Sequence, residues 1–348
     1  MISSFRSPVN TTPRMLSLPL PLYPIIFSLP DQPRDASLSV VASDPIGHTP
    51  QPWNLGTSPV RVLAPLLFVL LWSGAFIAVR AGVQDVSPIT FLASRFTLAA
   101  LILLPACLIL HSSSNWQEVR RLWPHLTVSG ILLNGAYLSA AHWAMVDISA
   151  ASMALIGSLQ PLLIAFLSGP VLGDRFRSLQ WVGFLLGTTG VVVVAGINVV
   201  DLGHTRGVTW GVLSCFSFVA GTLYYARFCK SSSLVTTNGV QLTAAAVFCW
   251  IIVLGFEDIA FSPTPPAIWS FIFLTLGVSL GGMGLYLYML KNGTAGKVAA
   301  NFYITPGLTA ALGWLILDET LSQNALIGFG LAMIGLWLVH RGANLNHT

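Results

Sequence analysis

The chain of 348 residues holds too few charges for a soluble protein. Asp, Glu, Lys and Arg make up 8% of it, against about 25% in soluble domains, and the mean hydropathy is +0.76. Water alone cannot solvate such a surface, so the composition predicts a protein embedded in the lipid bilayer. The net charge of +4 is then interpreted as a topology signal, and no nucleic-acid partner is expected.

Residues 1–60 form a segment of a different kind from the rest of the chain. They are rich in Ser and Pro, and their apolar stretch, residues 15–29, is interrupted by Pro19, Pro21 and Pro24. Prolines at this spacing break any helix of signal-peptide length. We therefore expect residues 1–60 to be a disordered N-terminal segment.

From Arg61 onward, apolar runs follow one another with short polar breaks. Each run has about 17–25 residues, the length that a helix needs to cross about 30 Å of hydrocarbon. Alternation with a period of two is absent, which argues against strands. The sequence predicts an all-α, polytopic membrane protein with ten transmembrane helices. The predicted spans are residues 62–80, 88–110, 125–144, 149–172, 179–198, 208–228, 239–256, 267–290, 294–317 and 323–340.

The basic residues between the spans predict the orientation. If the side before the first span is cytoplasmic, nine basic residues lie on that side and two, Arg80 and Arg206, lie opposite. This positive-inside bias predicts that both ends of the membrane domain face the cytoplasm, in a plasma or inner membrane. The nine are Arg61, Arg120, Arg121, Arg175, Arg177, Arg227, Lys230, Lys291 and Arg341.

The second half of the membrane region repeats the first. With an offset of 145 residues, Pro161 aligns with Pro306, Gly183 with Gly328, and later glycines and leucines also coincide. About a dozen identities over about 45 positions indicate a duplicated five-helix unit. We expect a first repeat over residues 61–198 and a second over residues 199–348.

The polar breaks indicate that the second repeat is inverted. The segment GDRFRS (Gly173–Ser178) is basic, whereas its counterpart DETLSQ (Asp318–Gln323) is acidic and has no arginine. Five helices is an odd number, so the second copy must enter the membrane in the opposite direction. Inverted repeats of this kind are typical of secondary transporters.

Several motifs in this order resemble the EamA family of the drug/metabolite transporter superfamily, over residues 61–340. They are LLWSGAFIAVRAG (Leu70–Gly82), Arg95 in ASRFTLAA, and the paired prolines, each followed by a carboxylate (Asp174 or Glu319) and a glycine (Gly183 or Gly328). The Gly-Asp-Arg of the first copy departs from the Gly-Glu that is usual in the family. The resemblance implies a ten-helix transporter of metabolites or drugs, with a substrate cavity between the two repeats.

Polar and aromatic side chains inside the spans are the candidates to line that cavity. Hydrogen-bonding groups are costly in lipid, so we expect most of them to face protein or water. Interhelical hydrogen bonding is the alternative for an isolated residue such as Asn134. The candidates for substrate binding are Trp72, Asn134, Tyr137, Ser158, Gln160, Tyr286, Asn301, Tyr303 and Thr305.

Pro161 and Pro306 are predicted to kink their helices, because each removes the amide donor for the carbonyl four residues earlier. A shared cavity and simple helix packing are equally compatible with this pattern. Arg95 is expected to reach the outer surface, with substrate contact as the alternative. Lys297 is expected to anchor its helix, and the alternative is a place at the inner mouth of the path. His142 is expected to be a hydrogen-bonded structural residue, with titration as the alternative. The glycine runs of the fifth and tenth spans are interpreted as sites of close helix packing.

These features predict a secondary transporter that moves a small organic solute by alternating access, with export as the expected direction. No Walker motif is present, so ATP is not expected to drive transport directly. No Asp or Glu lies in the middle of a span, so no residue is a candidate for a buried carboxylate proton relay. A membrane-embedded enzyme or a channel is the alternative. The histidines and cysteines lack metal-binding spacings, so no metal, cofactor or enzymatic activity is expected. A homodimer is left open.

Overall fold

The computed structural model describes residues 59–82, 86–110, 113–148, 153, 156–195, 205–260, 264–317 and 323–344. The predicted disorder of residues 1–60 falls almost entirely outside these ranges. Within them, the regular secondary structure is helical and no β-strand is present. The prediction of an all-α protein is confirmed.

Ten helical segments make up the described part of the membrane region. Each overlaps one predicted span, and α3 begins earlier than predicted because polar residues extend it beyond its apolar run. The segments are α1 (Pro59–Gly82), α2 (Pro88–Leu110), α3 (residues 113–147), α4 (Leu159–Leu172), α5 (Ser178–Ala195), α6 (Thr205–Phe228), α7 (Leu234–Phe256), α8 (Pro265–Asn292), α9 (residues 295–317) and α10 (Gln323–Asn344).

Not all of these helices are equally long and apolar. Among the described residues, five contain a stretch sufficient to cross a membrane by length and composition, namely α2, α6, α7, α8 and α10. Shorter apolar stretches occupy Leu63–Val79 in α1, Leu159–Leu172 in α4 and Ser178–Val193 in α5. This pattern is that of a multi-pass membrane protein.

Three of the helices are not regular α-helices throughout. A π-helical segment occupies Ile131–Ala136 in α3, and another occupies Phe273–Gly282 in α8. The 145-residue offset of the repeat carries the first segment into the second, so both halves depart from α-helical geometry at the same place. In α9, a 3₁₀ turn at Ala300–Tyr303 precedes the α-helix Thr305–Leu317. Such irregularities often mark functional sites or hinges.

Helix packing follows the internal repeat. The most extensive contacts join α5 to α10 and α2 to α7, which occupy equivalent places in the two halves. The pair α1 and α9 is likewise the counterpart of α6 and α4, and both pairs are in contact. The fold is therefore built from two five-helix repeats whose equivalent helices pack against each other.

Glycines bring α5 and α10 into backbone contact. A Cβ atom on Gly183 would lie 2.7 Å from the Gly335 carbonyl oxygen, and one on Gly190 would lie 2.6 Å from the Gly328 carbonyl oxygen. No real side chain fits at these distances. The interpretation of these glycines as sites of close helix packing is confirmed, and we call this contact the glycine seam.

A carboxylate from the end of α7 caps the start of α2. Glu257 Oε1 accepts a hydrogen bond from the Ile89 amide at 3.0 Å, and Oε2 accepts from the Thr90 amide at 2.6 Å and its hydroxyl at 2.8 Å. The first amides of a helix have no partner within it, and a negative charge there is favourable. Glu257 thus connects the two repeats at one end of the bundle.

Candidate functional site

Aromatic rings from both repeats meet between α1, α3, α6, α8 and α9. Neighbouring rings have their centroids 4.8 to 5.7 Å apart, and Phe302 contacts four of the others at nearly perpendicular or steeply inclined angles. Edge-to-face geometry is favourable for aromatic pairs. We call this group the central aromatic cluster; its members are Phe68, Trp72, Tyr137, Phe218, Tyr286 and Phe302.

The cluster brings together three of the predicted site residues. Trp72, Tyr137 and Tyr286 are all buried, with at most 9% of their surface exposed. The Tyr286 hydroxyl lies 2.8 Å from the Thr222 hydroxyl. The Gln160 side chain, also a predicted site residue, hydrogen-bonds to Tyr137. Residues 160 and 286 come from different repeats, so both halves contribute to one group of side chains.

Thr305 lies beside this cluster, where α9 contacts α1. Its carbonyl oxygen accepts a hydrogen bond from the Ser73 hydroxyl at 3.4 Å, and the Thr309 hydroxyl donates to the Ser73 carbonyl at the same distance. Ser73 directly follows Trp72 of the cluster. Thr305 thus lies at a contact between the two repeats, and its part in substrate binding stays a prediction.

Two predicted residues carry buried polar atoms that lack a hydrogen-bond partner among the described residues. They are Asn134, through its amide nitrogen, and Thr305, through its hydroxyl. Asn134 lies in the π-helical segment of α3 and is 2% exposed. Most buried polar groups in proteins are paired. Unpaired ones inside a transporter fold are therefore available to a ligand or to water.

Polar residues of α7 and α8 join this interior and were missed from the sequence. The Asn238 amide donates to the Ser279 carbonyl of the π-helical segment at 3.1 Å, and the Gln241 amide donates to the Ser129 hydroxyl at 2.8 Å. The atoms left without a partner in the described ranges include Thr237 Oγ1, Asn238 Oδ1, Gln241 Oε1, Thr275 Oγ1 and Ser279 Oγ.

The start of α7 explains part of this omission. The predicted span began at residue 239, which left Thr237 and Asn238 in a loop. In the structure α7 begins at Leu234, because the Ser233 side chain accepts a hydrogen bond from the Thr236 amide and caps the helix. A serine at an N-cap position is a recognisable sequence signal, and it would have extended the span to these residues.

Three predicted residues lie away from the central aromatic cluster in other contacts. The Tyr303 hydroxyl donates to the Phe184 carbonyl at 2.9 Å, and its ring packs on Gly187 of α5. The Asn301 amide donates to a carbonyl one turn earlier in its own helix at 2.9 Å. Ser158 is buried, and its carbonyl accepts from a threonine of α5 at 3.5 Å. These contacts are those of helix packing.

The two prolines stand at the start of helical segments rather than in the middle of them. Pro161 is the third residue of α4, after a turn at Ser158. Pro306 is the second residue of the α-helix in α9, after the 3₁₀ turn and Ile304. A proline in a first helical turn costs no hydrogen bond. The interruption predicted at each proline thus lies just before it, at equivalent places in the two repeats.

Arg95 and His142 are both buried in the first repeat. Arg95 is 5% exposed, and its guanidinium lies 4.9 Å from the ring centroid of Phe96. The prediction that its side chain reaches the outer surface is wrong, because packing between α2 and its neighbours holds it inside the bundle. His142 Nδ1 lies 2.7 Å from the Leu138 carbonyl oxygen, which agrees with the predicted structural role.

An opposite-charge pair lies between the ends of α4 and α6. Burial raises the pKa of Asp174 above its ordinary value, and the nearby Lys230 ammonium and the Ser168 hydroxyl partly offset that rise. Burial likewise lowers the pKa of Lys230, offset in part by Asp174. Lys230 also donates to the Gly293 carbonyl at 3.0 Å, so it connects the loops that follow α6 and α8.

Metal ligation has no candidate in the part of the chain that the structure describes. There, no three His, Cys, Asp or Glu side chains are grouped so as to hold an ion. The four cysteines are free and buried, as small apolar residues would be.

This arrangement, ten helical segments in two related halves around a shared interior, defines a polytopic membrane protein of transporter type. The family model described as "EamA-like transporter family" matches the chain twice, over residues 61–196 and 205–341. The chain therefore belongs to the EamA-like transporter family. The two matches coincide with the two repeats.

Relatives and one solved structure extend this result. The chain is 26% identical to "Uncharacterized inner membrane transporter YedA" of Escherichia coli (strain K12), over 82% of this chain and 94% of the relative. It is 25% identical to a "Probable terminal-alkyne amino-acid exporter" of Streptantibioticus cattleyicolor, over 80% and 93%. A crystal structure with 20% identity matches with a TM-score of 0.71, covering 84% of this chain and all of that one; it supports the fold alone.

Proposed function

We propose that this protein is a secondary transporter that exports a small organic solute by alternating access, with the solute path between the two repeats. The observation that carries the proposal is the central aromatic cluster, to which both repeats contribute; its helices α3, α8 and α9 also hold buried polar atoms without a partner among the described residues. A relative named as an amino-acid exporter supports the direction of transport.

The proposed site residues divide by what they offer a solute. Trp72, Tyr137 and Tyr286 offer ring faces to an apolar part of the solute, and Gln160 and Thr305 offer hydrogen bonds to a polar part. In the described conformation the rings contact one another. Solute binding would therefore require them to separate, and the adjoining π-helical segments can accommodate such a shift with little loss of backbone hydrogen bonding.

The remaining predicted residues have a smaller part in this proposal. Asn134 supplies an unpaired amide inside α3, whereas Ser158, Asn301 and Tyr303 support the helices around the path. Pro161 and Pro306 fix the helical starts next to it. The direction of export assumes that both ends of the membrane domain face the cytoplasm, as the basic residues indicate.

A flux experiment tests the proposal. Purified protein in liposomes is screened with amino acids, sugars and cationic drugs, and the active solute is then used with the variants Gln160→Leu and Thr305→Leu. Each replaces a hydrogen-bonding side chain by an apolar one, so we expect flux to fall about tenfold, which corresponds to about 1.4 kcal/mol. Thr189→Leu is the control, because Thr189 is exposed and its hydroxyl bonds only within α5.

The same experiment separates transport from its alternatives. A transporter saturates with solute concentration, whereas a channel conducts in proportion to it. Chemical conversion of the solute would indicate an enzyme. Equal flux per folded molecule in all three variants would contradict the placement of the path.

A further inference from the structure

An apolar groove opens on the outer surface of the bundle between α4 and α6. Its volume is about 310 Å³, near the lower end of the range for small-molecule sites. Its lining includes Leu167 and Val171 from α4, and Ala220 and Leu223 from α6. The groove lies apart from the central aromatic cluster, and none of the predicted site residues lines it.

The groove faces the hydrocarbon of the membrane. Phe216 is 53% exposed and Val171 is 41% exposed, although both are apolar and border the groove. In a multi-pass protein such side chains contact lipid. An empty apolar hollow at this surface would lose dispersion contacts, so an acyl chain is the group that fits it.

The end of the groove is basic and aromatic. The Arg227 guanidinium lies across it and donates to the Val171 carbonyl at 3.4 Å, which leaves other N–H donors of this side chain available. The Tyr224 hydroxyl lies 2.8 Å from His125 Nδ1. The His125 ring stacks on Phe228, with centroids 5.1 Å apart and an angle of 10°. Polar donors therefore meet at the point where the apolar lining stops.

Charge around this end favours an anion. The neighbouring parts of α3, of α6 and of the loop after α4 hold more basic than acidic residues, and the Lys230 ammonium partly offsets the charge of the acid Asp174. The basic residues of these segments are Arg120, Arg121, Arg175, Arg177, Arg227 and Lys230, and the acidic ones are Glu118 and Asp174.

The equivalent helix pair in the other half of the fold is α1 and α9. The basic and aromatic end of the groove has no counterpart there, since with the 145-residue offset Arg227 and Tyr224 align with Gly82 and Val79. The combination of groove and basic end is therefore a feature of the α4–α6 side and does not follow from the duplication.

We propose that the α4–α6 groove binds an anionic phospholipid of the surrounding bilayer. One acyl chain fills the apolar groove, and the headgroup phosphate accepts hydrogen bonds from Arg227 and Tyr224. Charge-assisted hydrogen bonds from arginine to phosphate are among the stronger ones in proteins. The lipid would bridge α4 of the first repeat and α6 of the second, and so stabilise the contact between them.

Lipid binding is measured on the full-length protein purified in detergent. Native mass spectrometry with mixed phosphatidylglycerol and phosphatidylcholine counts the lipids that stay bound, and thermal unfolding is followed with each lipid added alone. We expect one tightly held phosphatidylglycerol, preferred about fivefold over phosphatidylcholine, as about 1 kcal/mol per basic residue near an anionic lipid would give. Only phosphatidylglycerol should raise the unfolding temperature.

Two variants and two matched controls locate the site. Ala220→Trp fills the groove, and Arg227→Gln removes the positive charge at its end. Both should abolish the preference for phosphatidylglycerol over phosphatidylcholine. Val212→Trp adds the same bulk at an exposed position of α6 outside the groove, and Arg206→Gln removes an exposed charge at the other end of α6. Both control variants should keep the preference for phosphatidylglycerol.

Several results would overturn the proposal. One is an equal response to the two lipids, and another is an unchanged preference in Ala220→Trp. A rise in unfolding temperature with inorganic phosphate as large as that with phosphatidylglycerol would indicate a simple anion site. Loss of a dimer in Ala220→Trp, measured by mass photometry, would show that a second copy of the chain occupies the groove. If Ala220→Trp fails to fold, the same comparison with Ala220→Leu decides.

Discussion

The glycine seam and the central aromatic cluster both join the two repeats, but they do so with different parts of the chain. In the seam, backbone meets backbone, and a Cβ atom on Gly335 would lie 2.5 Å from the Gly187 amide nitrogen. In the cluster, side-chain rings meet with centroids 4.8 to 5.7 Å apart. The helices of the seam are regular, whereas α3, α8 and α9 of the cluster contain π or 3₁₀ segments.

This difference indicates which interface can change during transport. Backbone atoms in direct contact cannot slide past one another without breaking the packing, so the seam acts as a fixed support. Rings can change rotamers, and irregular helical segments can shift locally. We therefore expect motion between the repeats to be concentrated at the cluster.

The largest effect is expected from Gly335→Leu in the glycine seam. The new side chain would overlap the backbone of α5, at a cost of at least about 3 kcal/mol, the upper end of ordinary overpacking. Folded protein should be lost, as measured by monodisperse yield and unfolding temperature in detergent. Gly330→Leu on the same helix is the control, because nothing lies within 4 Å of its Cβ position. Normal yield of Gly335→Leu would refute the close contact.

Phe302→Ala in the cluster should have a smaller effect on folding. Phe302 touches four rings but is only partly buried, so we expect a loss of about 2–3 kcal/mol, below that of a fully buried phenylalanine. Folded protein should still be recovered, with altered flux per molecule. Phe256→Ala serves as the control, since Phe256 is 84% exposed. A loss of stability as large as that of Gly335→Leu would remove the distinction between the two interfaces.

A matched pair of tyrosines sharpens the comparison further. Tyr286→Phe removes the contact with Thr222 in the cluster, and Tyr303→Phe removes the hydrogen bond to the Phe184 carbonyl beside the glycine seam. Each should cost about 1 kcal/mol, the net value of one hydrogen bond. Transport should change only in Tyr286→Phe. Equal changes in liposome flux would contradict the assignment of motion to the cluster.

The smallest effect is expected at Asp174, in the loop between α4 and α5. Because burial raises its pKa above the ordinary 3.8, the folded protein binds this proton more tightly than the unfolded chain does. The stability that this adds is fully present below pH 3.8 and is lost as the pH rises through the raised value. Asp174→Asn stays neutral, so its unfolding temperature should fall less than that of the natural protein between about pH 4 and about pH 7. Parallel curves would contradict this.

The fold could be predicted largely because membrane helices leave a strong local signal. The run of residues 88–110 is predominantly apolar despite Arg95, and α2 has those same bounds. The boundaries failed where polar residues continue a helix, as at the start of α3 and before Asn238 in α7. There, capping by Ser233 decides the first turn, and hydropathy contains no information on it.

The candidate site could be predicted only in part. Trp72, Tyr137 and Tyr286 lie inside the bundle, because large polar-tipped rings avoid lipid, whereas their part in solute binding stays a prediction. Tyr303 has the same character, yet it faces α5. Its direction depends on where it lies around the axis of α9 after a 3₁₀ turn, and one residue of change in helical phase moves a side chain by about 100°.

The sequence by itself determined the class of protein, the helical segments and the duplication, because apolar length and the spacing of Pro161 and Pro306 are properties of the linear chain. Only the tertiary structure decided which side chains share a space. The burial of Arg95, the unpaired atoms of α7 and α8, and the groove beside Arg227 all depend on how helices far apart in sequence are rotated against each other. That rotation is set by packing between helices, and the hydropathy of a single helix does not encode it.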